Sequence, residues 1–187
     1  MNLDQETLCS LASKLGSDIP FFINGGIQLC FGKGEILEKL DSKLEYGVLL
    51  LKNPNVSVST AETYKKYSNR FCDQYLTNTE MIEDIRKDLR DNGLNNLCFD
   101  NRDLTIKNDL QLVVENVNDS VKRALYLLSK LENSLTFSMS GSGPTCFALF
   151  KDLETAKKEF TSNYKLFKDN GYDSWVCTFL EKGITFI

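Results

Sequence analysis

A continuous apolar run, YGVLLLKN at residues 46–53, is the feature that most constrains the fold of this chain. Such a run predicts a strand that is covered on both faces. Downstream, TFSMS and CFALF predict two more strands, and the spacing of apolar residues predicts helices over 113–131 and 153–164. Strands near 174–179 and 183–187 close the chain. This alternation predicts an α+β sandwich, with helices on one face of an antiparallel sheet.

The first 41 residues predict a helix followed by a hairpin. The helix spans residues 3–15, with Asp4 as its N-cap and Gly16 just past its C-terminus. The segments PFFIN and IQLCF predict two short strands that are joined by a turn at residues 25–26. A second turn is predicted at GKG, residues 32–34.

A helix and a hairpin cannot bury a core alone, because an isolated hairpin is marginally stable in water. We therefore expect residues 1–41 to belong to a larger domain and residues 42–187 to form a C-terminal domain. In the latter, AETYKKY predicts a helix that is capped by Ser59 or Thr60. A further helix is predicted over 79–91.

Composition restricts the partners and the compartment. A formal net charge of −4 and a pI of about 5.0 provide no basic field that would attract nucleic acid. No apolar run approaches the roughly 20 residues of a membrane helix, and the polar N-terminus is unlike a signal or transit peptide. We therefore expect a bacterial-type cytoplasmic protein, or a plastid protein if the full gene encodes a transit peptide. Six cysteines without a CxxC pair are expected to be buried free thiols: Cys9, Cys30, Cys72, Cys98, Cys146 and Cys177.

The chain contains no histidine. A Ser-His-Asp triad, a Cys-His pair and a histidine-based zinc site are therefore excluded within it. Its chemistry must depend on carboxylates, Lys or Arg, hydroxyls, backbone amides or a metal held by oxygen. The residues suggest no particular metal ligands.

Two segments have residue types that suit catalysis. In SMSGSGPT, residues 138–145, small residues let backbone N–H groups approach an anion, and serine hydroxyls add donors. A tight structural loop is the alternative. In GSDIPFF, Asp18 is either a general base, which requires a phosphate site and a hydroxyl substrate, or a turn residue before Pro20.

Five segments, taken in order, carry a resemblance to a known family. They are LASKLGSDIPFFINGG, GKGE, KNPNVSVSTAETY, NDL at 108–110 and SMSGSGPTCFALF, and they span residues 11–150. This order resembles the 4-diphosphocytidyl-2-C-methyl-D-erythritol kinases of the GHMP superfamily, which also contains galactokinases and homoserine, mevalonate and phosphomevalonate kinases. The resemblance implies the ferredoxin-like C-terminal domain of GHMP kinases, with residues 1–41 as a remnant of the N-terminal domain.

The resemblance also implies a reaction and its residues. Family members use ATP and Mg²⁺ to phosphorylate the carbon-2 hydroxyl of 4-diphosphocytidyl-2-C-methyl-D-erythritol in non-mevalonate isoprenoid biosynthesis. Asp18 matches the catalytic aspartate, which accepts the hydroxyl proton. Thr60 and Tyr64 match the cytidine pocket, and Lys33 matches a turn near the substrate. The alternatives are that Tyr64 belongs to the apolar face of a short helix and that Lys33 is an ordinary exposed lysine. In the family, a glycine-rich loop lies beside the triphosphate of ATP. The residues that match this loop are Ser140, Gly141, Ser142 and Gly143.

One departure from the family is large. The family's catalytic lysine and its main phosphate loop have no counterpart before Leu3. We expect the chain alone to lack kinase activity. A general base accelerates a reaction by about 10²–10⁴-fold, whereas enzymes typically accelerate their reactions by about 10⁶-fold or more. Strand edges left unpaired at 20–37 also predict self-association. The alternative functions are another GHMP small-molecule kinase and a non-catalytic binding module derived from one.

Overall fold

A computed structural model describes residues 3–40, 44–72, 83–84, 86–87, 90–91 and 106–184. These residues form two compact units. The first contains residues 3–40 and 44, the described positions from 83 to 91, and residues 179–184. The second contains residues 45–72 and 106–178. The domain boundary predicted between residues 41 and 42 stays a prediction.

The first unit begins with two helices and a hairpin. Helix α1 (Gln5–Ser13) follows Asp4, whose carboxylate accepts a hydrogen bond from the N–H of Thr7 at 2.7 Å. This confirms Asp4 as the N-cap. Helix α2 (Ile19–Asn24) precedes strands β1 (Ile27–Phe31) and β2 (Ile36–Leu40), which pair in antiparallel fashion.

The prediction of a strand at PFFIN is wrong, because this segment lies in α2. Pro20 occupies the first turn of the helix, where its missing N–H removes no helical hydrogen bond. Gly25 follows the helix with a φ of 65°, and its N–H donates to the carbonyl of Phe21. The hairpin turn therefore lies at residues 32–35, between β1 and β2, and not at residues 25–26.

The second unit is built on an antiparallel sheet in the order β4-β5-β3-β6. Its strands are β3 (Gly47–Lys52), β4 (Thr136–Met139), β5 (Cys146–Phe150) and β6 (Asp173–Thr178). Its helices are α3 (Thr60–Phe71), α4 (Gln111–Val114), α5 (Asp119–Leu128) and α6 (Leu153–Asp169). Because α5 precedes β4 and α6 lies between β5 and β6, the arrangement is ferredoxin-like. The predicted α+β fold class is confirmed.

The core of this unit lies between the sheet and two helices. The predicted strand at 46–53 forms β3, in the interior of the sheet between β5 and β6. Leu49 and Leu51 project from β3 into the same core as Leu128 of α5 and Phe167 of α6, and all four are fully buried. Alternate residues of β3 therefore anchor the helices on one face of the sheet.

The single helix predicted over 113–131 is wrong, because two helices occupy this region. Helix α4 ends at Val114, and α5 begins after Asn118, whose side chain accepts a hydrogen bond from the N–H of Val121 at 3.1 Å. Asn118 has φ −129° and ψ 100°, which is extended backbone. The apolar spacing continues across the break because Val114 and Val121 both enter the core.

The remaining predicted elements differ mainly in their bounds. Helix α6 extends past the predicted end at residue 164, and the strand predicted near 174–179 is β6. Within the predicted helix at 79–91, the described positions are helical, and the others lie outside the described residues. Residues 183 and 184 form no strand, and the rest of the strand predicted at 183–187 lies outside the described part. No helix in the described ranges is long and apolar enough to cross a membrane.

The cysteines in the described part of the chain are thiols, but most of them are not buried. Cys146 is buried and Cys9 is half-buried, whereas Cys30, Cys72 and Cys177 are exposed. The expectation of buried thiols is therefore wrong for the exposed three, and Cys98 lies outside the described residues.

Candidate functional site

The glycine-rich loop, residues 140–145, connects β4 to β5. The N–H of Ser140 donates to the carbonyl of Thr145 at 2.8 Å, and the N–H of Gly143 donates to the carbonyl of Ser140 at 2.9 Å. Gly141 and Gly143 have φ angles of 54° and 85°, which residues with a side chain rarely adopt. Glycine at these two positions therefore allows the loop to turn tightly.

The loop presents unused backbone donors. Among the described residues, no hydrogen bond uses the N–H of Gly141 or of Ser142. A Cβ placed on Gly141 would have no atom within 4 Å, whereas one placed on Gly143 would lie 2.8 Å from Sδ of Met139. Gly141 therefore faces open space and Gly143 packs inward. Free N–H groups on an open turn have the chemistry of an anion site.

Two side-chain amides support the loop from the segment that contains α4. Asn108 Nδ2 donates to the carbonyls of Met139 at 2.7 Å and Gly141 at 2.8 Å. Gln111 Oε1 accepts from the hydroxyl of Ser138 at 3.0 Å and from the N–H of Met139 at 2.9 Å. Sequence reasoning assigned neither amide a role. Their partners lie at least 27 residues downstream, so no local pattern indicates these contacts.

The N-terminus of α3 contacts the same loop. Ser59 caps this helix by accepting a hydrogen bond from the N–H of Glu62 at 3.3 Å. Of the two predicted caps, Ser59 and Thr60, the structure therefore confirms Ser59. Oγ1 of Thr60 lies 2.7 Å from Oγ of Ser142, so a hydrogen bond joins residues that are 82 positions apart. Two residues that the sequence proposed for different subsites are therefore in direct contact.

An open cleft of about 600 Å³ lies between α3 and the loop. Tyr64 and Tyr67 line it from α3, and Ser140, Gly141 and Asn108 line it as well. The side chain of Tyr64 is 58% exposed, so its ring is accessible from the cleft. Aromatic rings beside polar backbone and hydroxyl groups suit a ligand that has both a planar base and a polar chain.

Asp18 lies in the first unit, immediately before α2. It lies in the turn that leads into this helix, and its exposed carboxylate makes no capping hydrogen bond. In the described part of the chain, its hydrogen-bond partner is the hydroxyl of Ser17, at 3.4 Å. A Cβ on Gly34 would lie 3.0 Å from Oδ1 of Asp18. The carboxylate therefore faces the β1–β2 turn and is free of strong local bonds.

The turn that Asp18 faces also contains Lys33, which is exposed. Glu35 accepts a hydrogen bond from the backbone N–H of Lys33 at 2.7 Å. Hydrogen bonds from the N–H groups of Glu35 itself and of Lys33 lower the pKa of the Glu35 carboxyl. Burial and then the charge of Asp18 raise the pKa of the Cys30 thiol, so the Asp18 charge acts on this end of the hairpin.

The predicted residues thus form one group in each unit. In the second unit, Tyr64, Ser140 and Gly141 line the cleft, and a hydrogen bond joins Thr60 to Ser142 of the same loop. In the first unit, Asp18 faces the turn that contains Lys33. Within the residues that the structure describes, no group of three or more Asp, Glu, Cys or His side chains is arranged to hold a metal ion.

Comparison with known proteins defines the class. The family model of the C-terminal domain of GHMP kinases matches residues 81–169. A homoserine kinase structure from Cytophaga hutchinsonii covers 97% of this chain with a TM-score of 0.67. At 20% sequence identity, and with 60% of that protein covered, this likeness shows the fold alone. Residues 81–169 therefore resemble the C-terminal domain of GHMP kinases, and the chain has the fold of such a kinase.

Within that family, one group of kinases is particularly similar to this chain. The 4-diphosphocytidyl-2-C-methyl-D-erythritol kinase of Prochlorococcus marinus strain AS9601 is 88% identical over all 187 residues. The chain spans 60% of the length of that relative. A crystal structure of a 4-(cytidine 5'-diphospho)-2C-methyl-D-erythritol kinase matches 94% of this chain and 56% of that protein, with a TM-score of 0.62 and 20% identity.

Proposed function

We propose that this chain forms part of a kinase that transfers a phosphoryl group from ATP to the carbon-2 hydroxyl of 4-diphosphocytidyl-2-C-methyl-D-erythritol, a step of non-mevalonate isoprenoid biosynthesis. The main support for the proposal is the hydrogen bond between Thr60 and Ser142, because it joins α3, whose tyrosines line the cleft, to a loop with free N–H donors. A ligand with a planar base and phosphates matches both parts. The name of the 88%-identical relative supports the choice of acceptor.

The base and the phosphates use different groups of the second unit in this proposal. The cytosine ring stacks on Tyr64, whose exposed ring has a free face for a planar ligand. The N–H groups of Gly141 and Ser142 and the hydroxyls of the loop donate to phosphate oxygens of the nucleotide. Both contacts orient the reactants, which is the main source of catalysis in phosphoryl transfer.

A magnesium ion would supply charge neutralisation on the phosphates when ATP is bound. Mg²⁺ in kinases is usually held by the phosphates, by water and by one or two carboxylates, and it does not need a dedicated protein cage. The described residues fit this mode, because they offer scattered carboxylates and no cluster of three. The proposal therefore assigns Mg²⁺ to the nucleotide and names no cluster of protein ligands.

Asp18 is the general base in this proposal. A carboxylate suits this role when it is ionised, accessible and not occupied by strong hydrogen bonds. Asp18 is exposed and makes no helix-capping bond, which supports the assignment. Lys33, on the turn that Asp18 faces, provides an ammonium group for a phosphate of the acceptor.

The proposal is tested in a chimera, in which this chain replaces the matched part of the relative from strain AS9601. ATP is supplied with 4-diphosphocytidyl-2-C-methyl-D-erythritol or with homoserine, and the phosphorylated product is identified by phosphorus NMR. We expect turnover with the first acceptor and none with the second. Turnover with homoserine alone would overturn the choice of acceptor. An inactive chimera beside an active relative would overturn the kinase proposal for this chain.

A further inference from the structure

We infer that Asn108 is a positioning residue for phosphoryl transfer, because its side-chain amide holds the glycine-rich loop in the form that presents N–H donors to phosphate. The inference rests on the proposed function and deepens it. It states that Asn108 fixes the orientation of the peptide groups that follow Met139 and Gly141, although these residues lie more than 30 positions away in the sequence.

All polar atoms of the Asn108 side chain are used. Nδ2 donates to the carbonyls of Met139 and Gly141, and Oδ1 accepts from the N–H of Leu110 at 3.0 Å. The orientation of the amide is determined by its partners, because two carbonyls can only accept and an N–H can only donate. Asn108 is half-buried, so these bonds are partly shielded from water.

The bond to Gly141 fixes the direction of the neighbouring donor. The carbonyl of Gly141 and the N–H of Ser142 belong to one planar peptide group, and they point in opposite directions when that group is trans. The peptide between these residues is trans, since the cis bond of the loop is Gly143–Pro144. When Asn108 holds the Gly141 carbonyl, the N–H of Ser142 must therefore point away from Asn108.

The second bond fixes the entrance of the loop in the same way. The carbonyl of Met139 shares a peptide group with the N–H of Ser140, which donates to the carbonyl of Thr145 and closes the loop. One side chain thus orients two peptide groups, one that closes the loop and one that presents the free donor of Ser142. A purely structural role would require only the first.

The substitution Asn108→Asp separates these functions. It keeps an oxygen for the N–H of Leu110, but it removes both donors and places a carboxylate against two carbonyl oxygens. The matched control is Asn116→Asp, which introduces the same charge. Asn116 is exposed, and its Nδ2 donates to the carbonyl of Leu112 at 2.7 Å, away from the loop.

Steady-state kinetics of the chimera provide the first readout. We expect Asn108→Asp to raise KM for ATP about 10- to 30-fold, from two lost hydrogen bonds of ordinary strength, while KM for the acceptor changes less than threefold. The variant should also recover part of its ATP affinity as pH falls, relative to the unsubstituted chimera, because a protonated carboxyl can again donate to one carbonyl. Equal changes for both substrates, or an effect matched by Asn116→Asp, would overturn the inference.

Amide NMR of the 187-residue chain provides a readout that does not need catalysis. Titration with inorganic tripolyphosphate should shift the Ser142 amide of the unsubstituted chain and of Asn116→Asp, and the shift should be lost in Asn108→Asp. No Ser142 shift in the unsubstituted chain would overturn the inference. If the shift behaves as expected but the unsubstituted chimera is inactive, the proposed function fails while the role of Asn108 in presenting the donor is supported.

Discussion

One hydrogen bond, between Thr60 and Ser142, makes a quantitative prediction about how the cleft is built. Thr60→Val and Ser142→Ala each delete one hydroxyl and change the side-chain volume little. The oxygens are 2.7 Å apart, Thr60 is exposed and Ser142 is half-buried. A neutral hydrogen bond contributes about 0.5–1.5 kcal/mol. Since water replaces an exposed partner easily, we expect a coupling of about 0.5–1 kcal/mol in a double-mutant cycle.

The assay is urea unfolding of the four proteins of the cycle, followed by far-ultraviolet circular dichroism. The double variant should be barely less stable than either single variant, because each single substitution already breaks the bond. Thr60→Val paired with Ser129→Ala is the control, since the Ser129 hydroxyl bonds the carbonyl of Tyr126 instead. The control pair should be additive within about 0.3 kcal/mol. A coupling for Thr60 and Ser142 no larger than that of the control would refute the contact.

Three further predictions concern the stability and reactivity of the two units. In the first unit, hydrogen bonds from Arg90 lower the pKa of Glu38, so this stabilisation is present above the ordinary carboxyl pKa and is lost as pH falls through the lowered value. Thermal unfolding should therefore show Glu38→Gln as less stable at neutral pH, with the difference disappearing in acid; a difference independent of pH would contradict this. In the second unit, burial and then the charge of Glu115 raise the pKa of the Cys146 thiol to about 12. A thiol reagent at mildly alkaline pH should label exposed Cys72 in the native chain but Cys146 only after denaturation, as peptide mapping would show. Gly47→Ala should destabilise the chain by about 1–3 kcal/mol or more, because the added Cβ would lie 2.4 Å from the carbonyl oxygen of Asp152; an unchanged urea midpoint would contradict this close approach.

The sheet of the second unit was predictable because its signals are local. A continuous apolar run forms β3, and glycines between two apolar segments form the loop between β4 and β5. The error at α2 has a physical cause. Five residues from Pro20 to Asn24 are too few for periodicity to distinguish a helix from a strand, and the proline at the start of a helix is a compatible but weak signal.

The break between α4 and α5 was hidden for a different reason. Val114 and Val121 stay in phase with one apolar face, so the period continues although Asn118 interrupts the helix. An asparagine N-cap within a periodic segment was the available signal.

Some of the site residues could be predicted from the sequence, and others could not. Asp18 and the loop glycines could be nominated from short segments and a family resemblance. The contact of Thr60 with Ser142 and the bonds of Asn108 join positions that are far apart in the chain. Such contacts depend on how the elements pack, and a single sequence contains no periodic signal for them.

The most direct test of the central claim is the rate of phosphoryl transfer by the chimera with Asp18→Asn, compared with Asp4→Asn. Both substitutions remove one carboxylate charge from the first unit, and asparagine preserves the N-cap of α1. We predict that Asp18→Asn lowers kcat/KM for the acceptor by about 10²–10⁴-fold, while Asp4→Asn changes it less than threefold and both variants retain the same melting temperature. Equal activity of the two variants would show that the Asp18 carboxylate is not the base.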